Sequence, residues 1–391
     1  MLNHRTYATT RPFHSQSVEA TVPGDGSASL PETDRTRRSS GISVSTRYTR
    51  DARISGVGAV LPSRTVTTAE VEERVGICER FGLERGWLEH VSGVRTRRWA
   101  DPETLPSELA VAAARQALEA ADVDPGLIDV VLFTGITRDF YEPATANVVA
   151  DGVGAHHARA LDLGNACNGL LDGLDVANLM IRAGHARRVL VATGERASVS
   201  INWKPTSREE LMRSIAGLLL SDGGGAFVVE ATDDPERGLR ERTFLADPSK
   251  WRLALGGRSH PAEPCPRCDG VVDPRFSCDG VRLFSAVFAL VPAALEEVMT
   301  RTGWTYSELD VAFCHEASGR YAETGLARLP EGRTIATKLW STVERLGNTT
   351  TLSIPAAMVE AQAAGALAPG AKVLVLSSCA GISVAALTLV W

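Results

Sequence analysis

Three polar side chains, those of Cys167, His315 and Asn348, occupy positions at which chemistry is expected. Cys167 lies in residues 161–170 (LDLGNACNGL), where a short strand-like run leads directly into an apolar helix. We therefore expect it on a tight turn at a helix N-terminus, where free N–H groups and the positive end of the helix dipole stabilise a thiolate. Backbone N–H groups of that turn can also hold an oxyanion. The alternative is an unreactive core cysteine, because free cysteines are among the most buried residues.

His315 and Asn348 each stand at the end of a predicted strand or shortly before a predicted helix. His315 follows a strand at 309–314, at the edge where ligands bind in open α/β sheets, although a core or turn histidine would fit there too. Asn348 follows Gly347 before a helix at 353–364, so turn chemistry is its alternative. A cysteine thiolate attacks carbonyl groups, and a neutral His and an Asn amide can both donate hydrogen bonds to one oxygen. The three residues together suit an enolate formed beside a thioester.

The elements that must position these residues alternate between strands and helices, and the pattern occurs twice. Strands are predicted at 53–61, 129–134, 188–193, 309–314 and 372–376, and helices at 107–121 (with Ser107 as N-cap), 169–183, 291–301 and 353–364. Val130 and Val189 are 59 residues apart, and Val311 and Val373 are 62 apart. This agreement predicts one repeat of about 180 residues, present twice. Two unrelated α/β segments are the alternative.

The composition argues against several classes of protein. Of 391 residues, 44% are apolar and 23% are charged, which is typical of a globular chain with a large core. The net charge of −6 argues against a nucleic-acid binder, and the lack of an apolar run of about 18 residues argues against a membrane span. Seven cysteines without a secretory signal predict a reduced, cytoplasmic protein.

Two segments fall outside the repeated pattern. Residues 1–51 are rich in Ser, Thr and Arg without a periodic apolar face, so we predict a disordered extension; their acidic residues count against an organelle transit peptide. An insertion at about 255–280 carries Cys265, Cys268, Cys278 and His260. These four could bind a structural zinc ion, Cys265 and Cys268 could form a redox pair, or the thiols could be inert in a Pro-rich surface loop. The chemistry suggested above needs no metal.

Six segments together resemble the thiolase superfamily, and within it the β-ketoacyl-ACP synthase III-like enzymes. They are residues 87–98 (WLEHVSGVRTRR), 165–169 (NACNG), 220–226 (LSDGGGA), 315–318 (HEAS), 347–350 (GNTT) and 378–383 (SCAGIS). The resemblance covers about residues 53–391. It implies a duplicated α/β thiolase fold, a five-layer αβαβα sandwich, with an N-terminal half at 52–235 and a C-terminal half at 236–391.

The same resemblance implies an activity and a set of site residues. Cys167 is the nucleophile, loaded with an acyl group from CoA or from an acyl carrier protein, and His315 and Asn348 complete the catalytic set. A second acyl thioester then attacks as a carbanion in a Claisen condensation, with no cofactor beyond the thioester substrates. Such enzymes are usually intimate dimers, so we expect a homodimer or a heterodimer with a homologous chain. The product would belong to lipid or natural-product biosynthesis.

Glu142, in residues 138–146 (RDFYEPATA), stands 25 residues before Cys167. This looks like the enzymes that join two acyl-CoA chains head to head in olefin and β-lactone pathways, where a Glu at this place reaches across the dimer and acts as a base. Removing an α-proton without decarboxylation requires a base, and a carboxylate desolvated in an apolar tunnel has a raised pKa. The alternative is that Glu142 only precedes Pro143 and caps a helix starting at Ala144.

Several positions depart from the family pattern. Ala380 falls where a Gly would offer the second oxyanion N–H beside that of Cys167, which an Ala can do only with a negative φ. Trp87 matches a position that stacks on the CoA adenine, but Val91 replaces the Arg expected beside it. In the histidine segment, Glu and Ser stand in place of the Gln and Asn of fatty-acid initiation enzymes.

Two other functions remain open. In the first, an enzyme on the same fold passes the acyl group from Cys167 to a hydroxyl or amine of a small natural product. In the second, the chain is a partner subunit that lends Glu142 to the site of another chain. Ordinary fatty-acid initiation is disfavoured, because Glu142 would repel a malonyl carboxylate.

Overall fold

The computed structural model describes residues 52–259 and 272–391. The predicted disorder of residues 1–51 and the positions of His260, Cys265 and Cys268 lie outside these residues. The strands are β1 (Ala52–Val60), β2 (Thr65–Thr67), β3 (Thr96–Arg98), β4 (Val130–Phe133), β5 (Arg159–Asp162), β6 (Arg188–Glu195), β7 (Gly223–Ala231), β8 (Gly238–Ala246), β9 (Ala254–Leu255), β10 (Arg258–Ser259), β11 (Val272–Asp273), β12 (Ser277–Cys278), β13 (Val311–Cys314), β14 (Lys372–Cys379) and β15 (Ser383–Val390). The α-helices are α1 (Thr68–Val75), α2 (Ile77–Phe81), α3 (Trp87–Ser92), α4 (Pro106–Ala121), α5 (Thr145–Val153), α6 (Gly169–Arg182), α7 (Arg208–Leu218), α8 (Gly280–Phe288), α9 (Val291–Thr302), α10 (Gly319–Leu326), α11 (Gly332–Lys338), α12 (Val343–Leu346) and α13 (Ser353–Ala363).

The two halves of the sequence build sheets with corresponding strand orders. The first sheet has the order β1-β7-β6-β4-β5, with β4 parallel to β5 and β6, and β7 antiparallel to β6 and β1. The second has the order β8-β15-β14-β13, with β13 parallel to β14, and β15 antiparallel to β14 and β8. Val130 pairs with Val189 and Val311 with Val373, which confirms the predicted duplication. Where β5 would have its counterpart, a single parallel bridge pairs Leu339 with β13.

Helices separate the two sheets and cover their outer faces. Helices α6 and α13 lie in the middle, where their apolar residues share one core with strands of both sheets. Helices α4 and α5 pack on the outer face of the first sheet, and α8 and α9 on the outer face of the second. The order of layers is therefore helix, sheet, helix, sheet, helix, and the predicted αβαβα sandwich is confirmed.

Glycines let α4 lie unusually close to the first sheet. A Cβ on Gly194 of β6 would lie 1.8 Å from the carbonyl oxygen of Pro106, and one on Gly224 of β7 would lie 2.0 Å from that of Leu109. Any larger residue would push the helix away from the strands that lead to the site.

The start of α4 differs from the prediction. Ser107 is not the N-cap, because the helix begins at Pro106 and Leu105 is the N-cap residue. The backbone N–H of Leu105 donates a hydrogen bond to the carboxylate of Glu108 at 2.8 Å. Proline suits the first helical position, because its φ is already helical and it has no N–H to leave unsatisfied.

One helical stretch, Gly280–Thr302, is long and apolar enough to cross a membrane by length and composition alone. It comprises α8 and α9. Ala294, Leu295 and Val298 of α9 are buried in the core beneath the second sheet, as in the core helix of a globular domain. The apolar face of α9 is therefore buried within the protein.

Candidate active site

Cys167 lies on a tight turn between β5 and α6, as the sequence predicts. Ala166, just before it, has a φ of 44°, a left-handed conformation that is uncommon for a residue with a side chain. Helix α6 then begins at Gly169, where a Cβ would lie 2.5 Å from the carbonyl oxygen of Thr134. The turn therefore presents the thiol at the N-terminus of a buried helix, close to the end of β4.

The thiol of Cys167 is protonated in the resting site. Burial raises its pKa well above the usual range, and the neighbouring Cys379 and Glu195 raise it further. The expected thiolate is therefore wrong for the resting state: a helix terminus supplies only roughly 0.3–1 kcal/mol, and burial outweighs it. The proton must leave as the sulfur attacks, which requires a base beside it.

His315 follows β13 at the carboxyl edge of the second sheet, where its N–H donates to the carbonyl oxygen of Leu376 at 2.9 Å. Its Nδ1 lies 2.8 Å from Oγ of Ser353. That hydroxyl donates to the carbonyl oxygen of Thr350 (2.8 Å) and accepts from Oγ1 of Thr349 (3.0 Å). Because the single hydroxyl hydrogen of Ser353 is used, Nδ1 carries the ring proton and donates to Ser353, which leaves the lone pair on Nε2.

His315 is therefore a base in the resting site. Burial lowers its pKa to about 4, so the imidazole is neutral at pH 7. In this tautomer the N–H of a neutral His315 is directed at Ser353, and the predicted hydrogen bond from His315 to a substrate oxygen would need a proton on Nε2. Nε2 accepts a proton first and becomes a donor only in the imidazolium that results.

Asn348 is buried and held from both sides by its backbone. Its N–H donates to the carbonyl oxygen of Leu219 (2.8 Å), and its own carbonyl accepts from the N–H of Ser221 (2.9 Å). The side-chain Oδ1 accepts from the N–H of Thr350 at 3.0 Å. The amide NH₂ group is thus the end of the side chain that can donate to a substrate oxygen.

A buried carboxylate that sequence reasoning missed, Glu195, ties the end of β6 to the loop of Asn348. It accepts hydrogen bonds from Oγ1 of Thr351 (2.6 Å) and from N–H and Oγ1 of Thr137 (3.1 and 2.9 Å). Burial raises its pKa. A charge on Glu195 adds to the effect of burial in raising the pKa of Cys167.

Asn168, also missed, joins the nucleophile turn to the β14–β15 hairpin of the other half. Its Oδ1 accepts from Oγ of Ser377 (2.6 Å), and its Nδ2 donates to Oγ of Ser383 (2.7 Å). Ala380 lies in the turn of that hairpin and has a negative φ. The condition for its N–H to serve as an oxyanion donor beside that of Cys167 is met, and the role itself stays a prediction.

Glu142 does not join the other site residues within one chain. It is exposed in the loop before α5 and precedes Pro143 through a cis peptide bond. The capping alternative is wrong: α5 begins at Thr145, and the carboxylate of Asp162 accepts hydrogen bonds from the N–H groups of Thr145 (3.1 Å) and Ala146 (2.9 Å).

A groove of about 940 Å³ lies between α3, α10 and α11. Its walls carry charges of both signs, including Arg95, Arg320 and Glu316. Burial raises the pKa of Glu316 to about 7. Trp87 is half-buried at the start of α3, beside groove residues 86 and 89, and its contact with CoA stays a prediction.

The zinc hypothesis is untested, because three of its four residues lie outside the described residues. Cys278 is buried at the end of β12, and burial raises the pKa of its thiol to about 12. Within 52–259 and 272–391, His, Cys, Asp and Glu form no group of three or more that could hold a metal ion.

Three loops bring the site together at the carboxyl edges of the two sheets. Ser353 connects His315 to the loop of Asn348, and Asn168 connects the turn of Cys167 to β14, which is hydrogen-bonded to His315. The arrangement holds a neutral thiol, a neutral imidazole and an amide, which suits transfer of an acyl group through a covalent thioester.

Comparisons with known proteins agree with this reading. Residues 161–248 match the family model of 3-oxoacyl-[acyl-carrier-protein (ACP)] synthase III, and residues 299–391 match that of its C-terminal part. A β-ketoacyl-[acyl-carrier-protein] synthase III 3 of Streptomyces coelicolor is 32% identical over 352 residues, 88% of this chain and 98% of the relative. A second such synthase, from Roseiflexus castenholzii, is 31% identical over 343 residues, 87% of this chain and 98% of the relative.

Solved structures show the same fold. A variant of OleA from Xanthomonas campestris superposes with a TM-score of 0.79 at 23% identity, over 88% of this chain and 98% of that one. The 3-oxoacyl-(acyl carrier protein) synthase III of Pseudomonas aeruginosa gives a TM-score of 0.76 at 27% identity, with the same coverage.

Proposed function

The chain belongs to the β-ketoacyl-[acyl-carrier-protein] synthase III family of acyltransferases, and from this membership we propose that it condenses two acyl thioesters through Cys167. One observation carries the proposal. His315 is neutral, its Nδ1–H is held by Ser353, and its Nε2 is left as a base on the edge that also carries the protonated thiol of Cys167.

Acyl loading is the first half-reaction. As the sulfur of Cys167 attacks the thioester carbonyl, its proton passes to Nε2 of His315. The N–H groups of Cys167 and Ala380 donate to the oxyanion of the tetrahedral intermediate. Collapse of that intermediate breaks the bond to the departing thiol, of CoA or of a carrier protein, which takes the proton back from His315.

Condensation is the second half-reaction. A base removes an α-proton from the second thioester, and the enolate oxygen accepts a hydrogen bond from the amide of Asn348. The α-carbon then attacks the acyl group on Cys167. The sulfur of Cys167 leaves as a thiolate and is protonated by the equivalent of acid that the base gained from the α-carbon, and the product is a β-ketoacyl thioester.

For the base we propose Glu142 of a second copy of this chain. The loop that carries it presents Tyr141 (88% exposed) and Phe140 (50% exposed) beside it. Apolar side chains exposed together mark surfaces that associate, and a C2 dimer would cover this loop on both copies. Glu142 desolvated in such an interface could take an α-proton, so that no carboxylate need be lost from the substrate.

The test of Cys167 is intact-protein mass spectrometry after incubation with a panel of acyl-CoAs and acyl carrier proteins. We expect a gain of one acyl group in the natural protein and in Cys78→Ala, a matched cysteine of α2, and none in Cys167→Ala. An adduct that persists in Cys167→Ala contradicts the proposal. If no donor acylates the natural protein, the chain is a partner subunit instead.

The second half-reaction is tested by product analysis. Asn348→Ala should still be acylated on Cys167 but should form at most about 1% of the β-ketoacyl product, since losing one donor to an enolate-like oxygen costs about 10²–10³ in rate. Ester or amide products in place of β-ketoacyl thioesters would favour acyl transfer to a hydroxyl or amine. Carbon dioxide released in step with product from a malonyl thioester would contradict the role of Glu142.

A further inference from the structure

A second sulfur lies against the nucleophile turn. Cys379 is buried at the end of β14, and the mechanism above gives its thiol no part. Its Sγ lies 4.0 Å from Oδ1 of Asn165 and 3.3 Å from Oγ of Ser383, which accepts a hydrogen bond from Nδ2 of Asn168 at 2.7 Å. Asn165 and Asn168 stand two residues before and one residue after Cys167.

The second thiol packs against residues on both sides of the nucleophile. Cys379 contacts Oδ1 of Asn165 directly, and it contacts the side chain of Asn168 through Oγ of Ser383. A disulfide between residues 167 and 379 needs their Cα atoms about 4.4–6.8 Å apart. Both residues carry free thiols in the structure.

Cys379 also has a neighbouring donor that suits a reacting thiol. The hydroxyl of Ser383 lies 3.3 Å from Sγ and can donate to it. Burial raises the pKa of Cys379 overall, and the hydrogen bond from Ser383 opposes that shift. A charge on Cys379 raises the pKa of Cys167, so the two sulfurs interact electrostatically.

We propose that Cys167 and Cys379 form a reversible intramolecular disulfide. In this oxidised form the enzyme cannot accept an acyl group. The bond needs only the two thiols and an oxidant; the loss of acylation rests on the proposed function of Cys167. A thiol at residue 379 thereby gives the nucleophile a protected oxidised state.

The chemistry is a two-electron oxidation by a peroxide. As Nε2 of His315 takes the proton of Cys167, the sulfur attacks hydrogen peroxide, which gives a sulfenic acid on Cys167 and one water. The thiol of Cys379 attacks the sulfenic sulfur, hydroxide leaves with the thiol proton as a second water, and the disulfide forms. A dithiol such as dithiothreitol returns both thiols by exchange and is itself oxidised to a disulfide.

The experiment treats the full chain with one equivalent of hydrogen peroxide and then alkylates the remaining thiols under denaturing conditions. We expect a mass loss of about 2 Da, two fewer alkylated cysteines, and a linked peptide pair containing residues 167 and 379. Dithiothreitol should reverse all three changes and restore acylation of Cys167. Cys314→Ser, which removes another largely buried thiol, should behave like the natural protein.

Cys379→Ser separates the proposal from simple oxidation. Without the second thiol, one equivalent of peroxide should yield only the sulfenic acid of Cys167, a gain of about 16 Da with no linked peptide pair. A second equivalent should yield the sulfinic acid, a gain of about 32 Da that dithiothreitol does not reverse. A link from Cys167 to a different cysteine, or sulfinic acid at Cys167 in the natural protein, overturns the proposal. If the disulfide forms but no donor acylates Cys167, only the proposed function is contradicted. If Cys167 is acylated but no disulfide forms, only the present proposal is contradicted.

Discussion

Cys167 and His315 are both neutral in the resting site, because burial shifts each pKa away from the charged form. A thiolate–imidazolium pair would need either a polar surrounding or a carboxylate on the histidine. Here the partner of Nδ1 is the hydroxyl of Ser353, which orients the ring without adding charge. Under the proposed mechanism, the nucleophile is therefore generated only while the proton moves from Cys167 to His315.

This pairing predicts the pH dependence of acylation. A histidine with an ordinary pKa of about 6.5 would lose its base function below that pH, but His315 keeps it down to about pH 4. The single-turnover rate of Cys167 acylation, followed by mass spectrometry, should show no inflection near pH 6.5. Because the unfolded chain binds the proton first, the free energy of unfolding should fall as the pH drops from about 6.5 towards 4.

Ser353→Ala tests the same arrangement by removing the acceptor of Nδ1–H. Both tautomers of His315 then become accessible, and we expect the acylation rate to fall by roughly tenfold or more. Ser214→Ala, a buried serine of α7 whose hydroxyl donates to the carbonyl oxygen of Glu210 (2.7 Å), is the matched control and should keep its rate. An inflection near pH 6.5 in the natural protein would contradict the assigned protonation state.

At the scale of elements, the site depends on how the start of α6 meets the β14–β15 hairpin. These elements belong to different halves of the sequence, and Asn168 joins them through Ser377 and Ser383. One side supplies the N–H of Cys167 and the other that of Ala380. The distance between the two proposed oxyanion donors is therefore set by the side chain of Asn168.

Asn168→Ala should loosen this connection. Losing two hydrogen bonds should lower the free energy of unfolding by about 1–3 kcal/mol. Poor alignment of the oxyanion donors should lower the acylation rate by roughly tenfold beyond any loss of folded protein. Asn178→Ala is the matched control: Asn178 is buried on the same helix, and its side chain has no hydrogen-bond partner among the described residues. Equal acylation rates in the two variants would refute a positioning role for Asn168.

The sequence predicted the elements better than the contacts between them. Continuous apolar runs marked β4 and β6 because buried parallel strands need no polar face, and the strand ends placed His315 correctly. The partners Asn168 and Ser377 are 209 residues apart, and no local pattern brings them together. The protonation of Cys167 was missed for a related reason: the helix dipole can be read locally, whereas burial depends on the whole fold.

At the scale of the molecule, the duplication explains how two halves of one chain bring their proposed site residues to corresponding sheet edges. The first half supplies Cys167, and the second half supplies His315 and Asn348 at the corresponding sheet edge. Glu142 faces outward on a loop with exposed aromatic residues. If Glu142 is the base, as proposed, a second copy of the chain must cover this loop and bring Glu142 to the thiol of Cys167.

Mixed dimers test this shared site directly. Cys167→Ala and Glu142→Gln should each fail to condense, whereas Glu142→Gln should still be acylated on Cys167. After subunit exchange between equal amounts of the two variants, half of the dimers are mixed. In each mixed dimer, one of the two sites has both Cys167 and the partner's Glu142. About 25% of the natural condensing activity should therefore return. Cys167→Ala mixed with Asn348→Ala is the control and should stay inactive, because both residues serve the same chain's site. If mixing restores nothing while the subunits do exchange, Glu142 acts within its own chain or not at all.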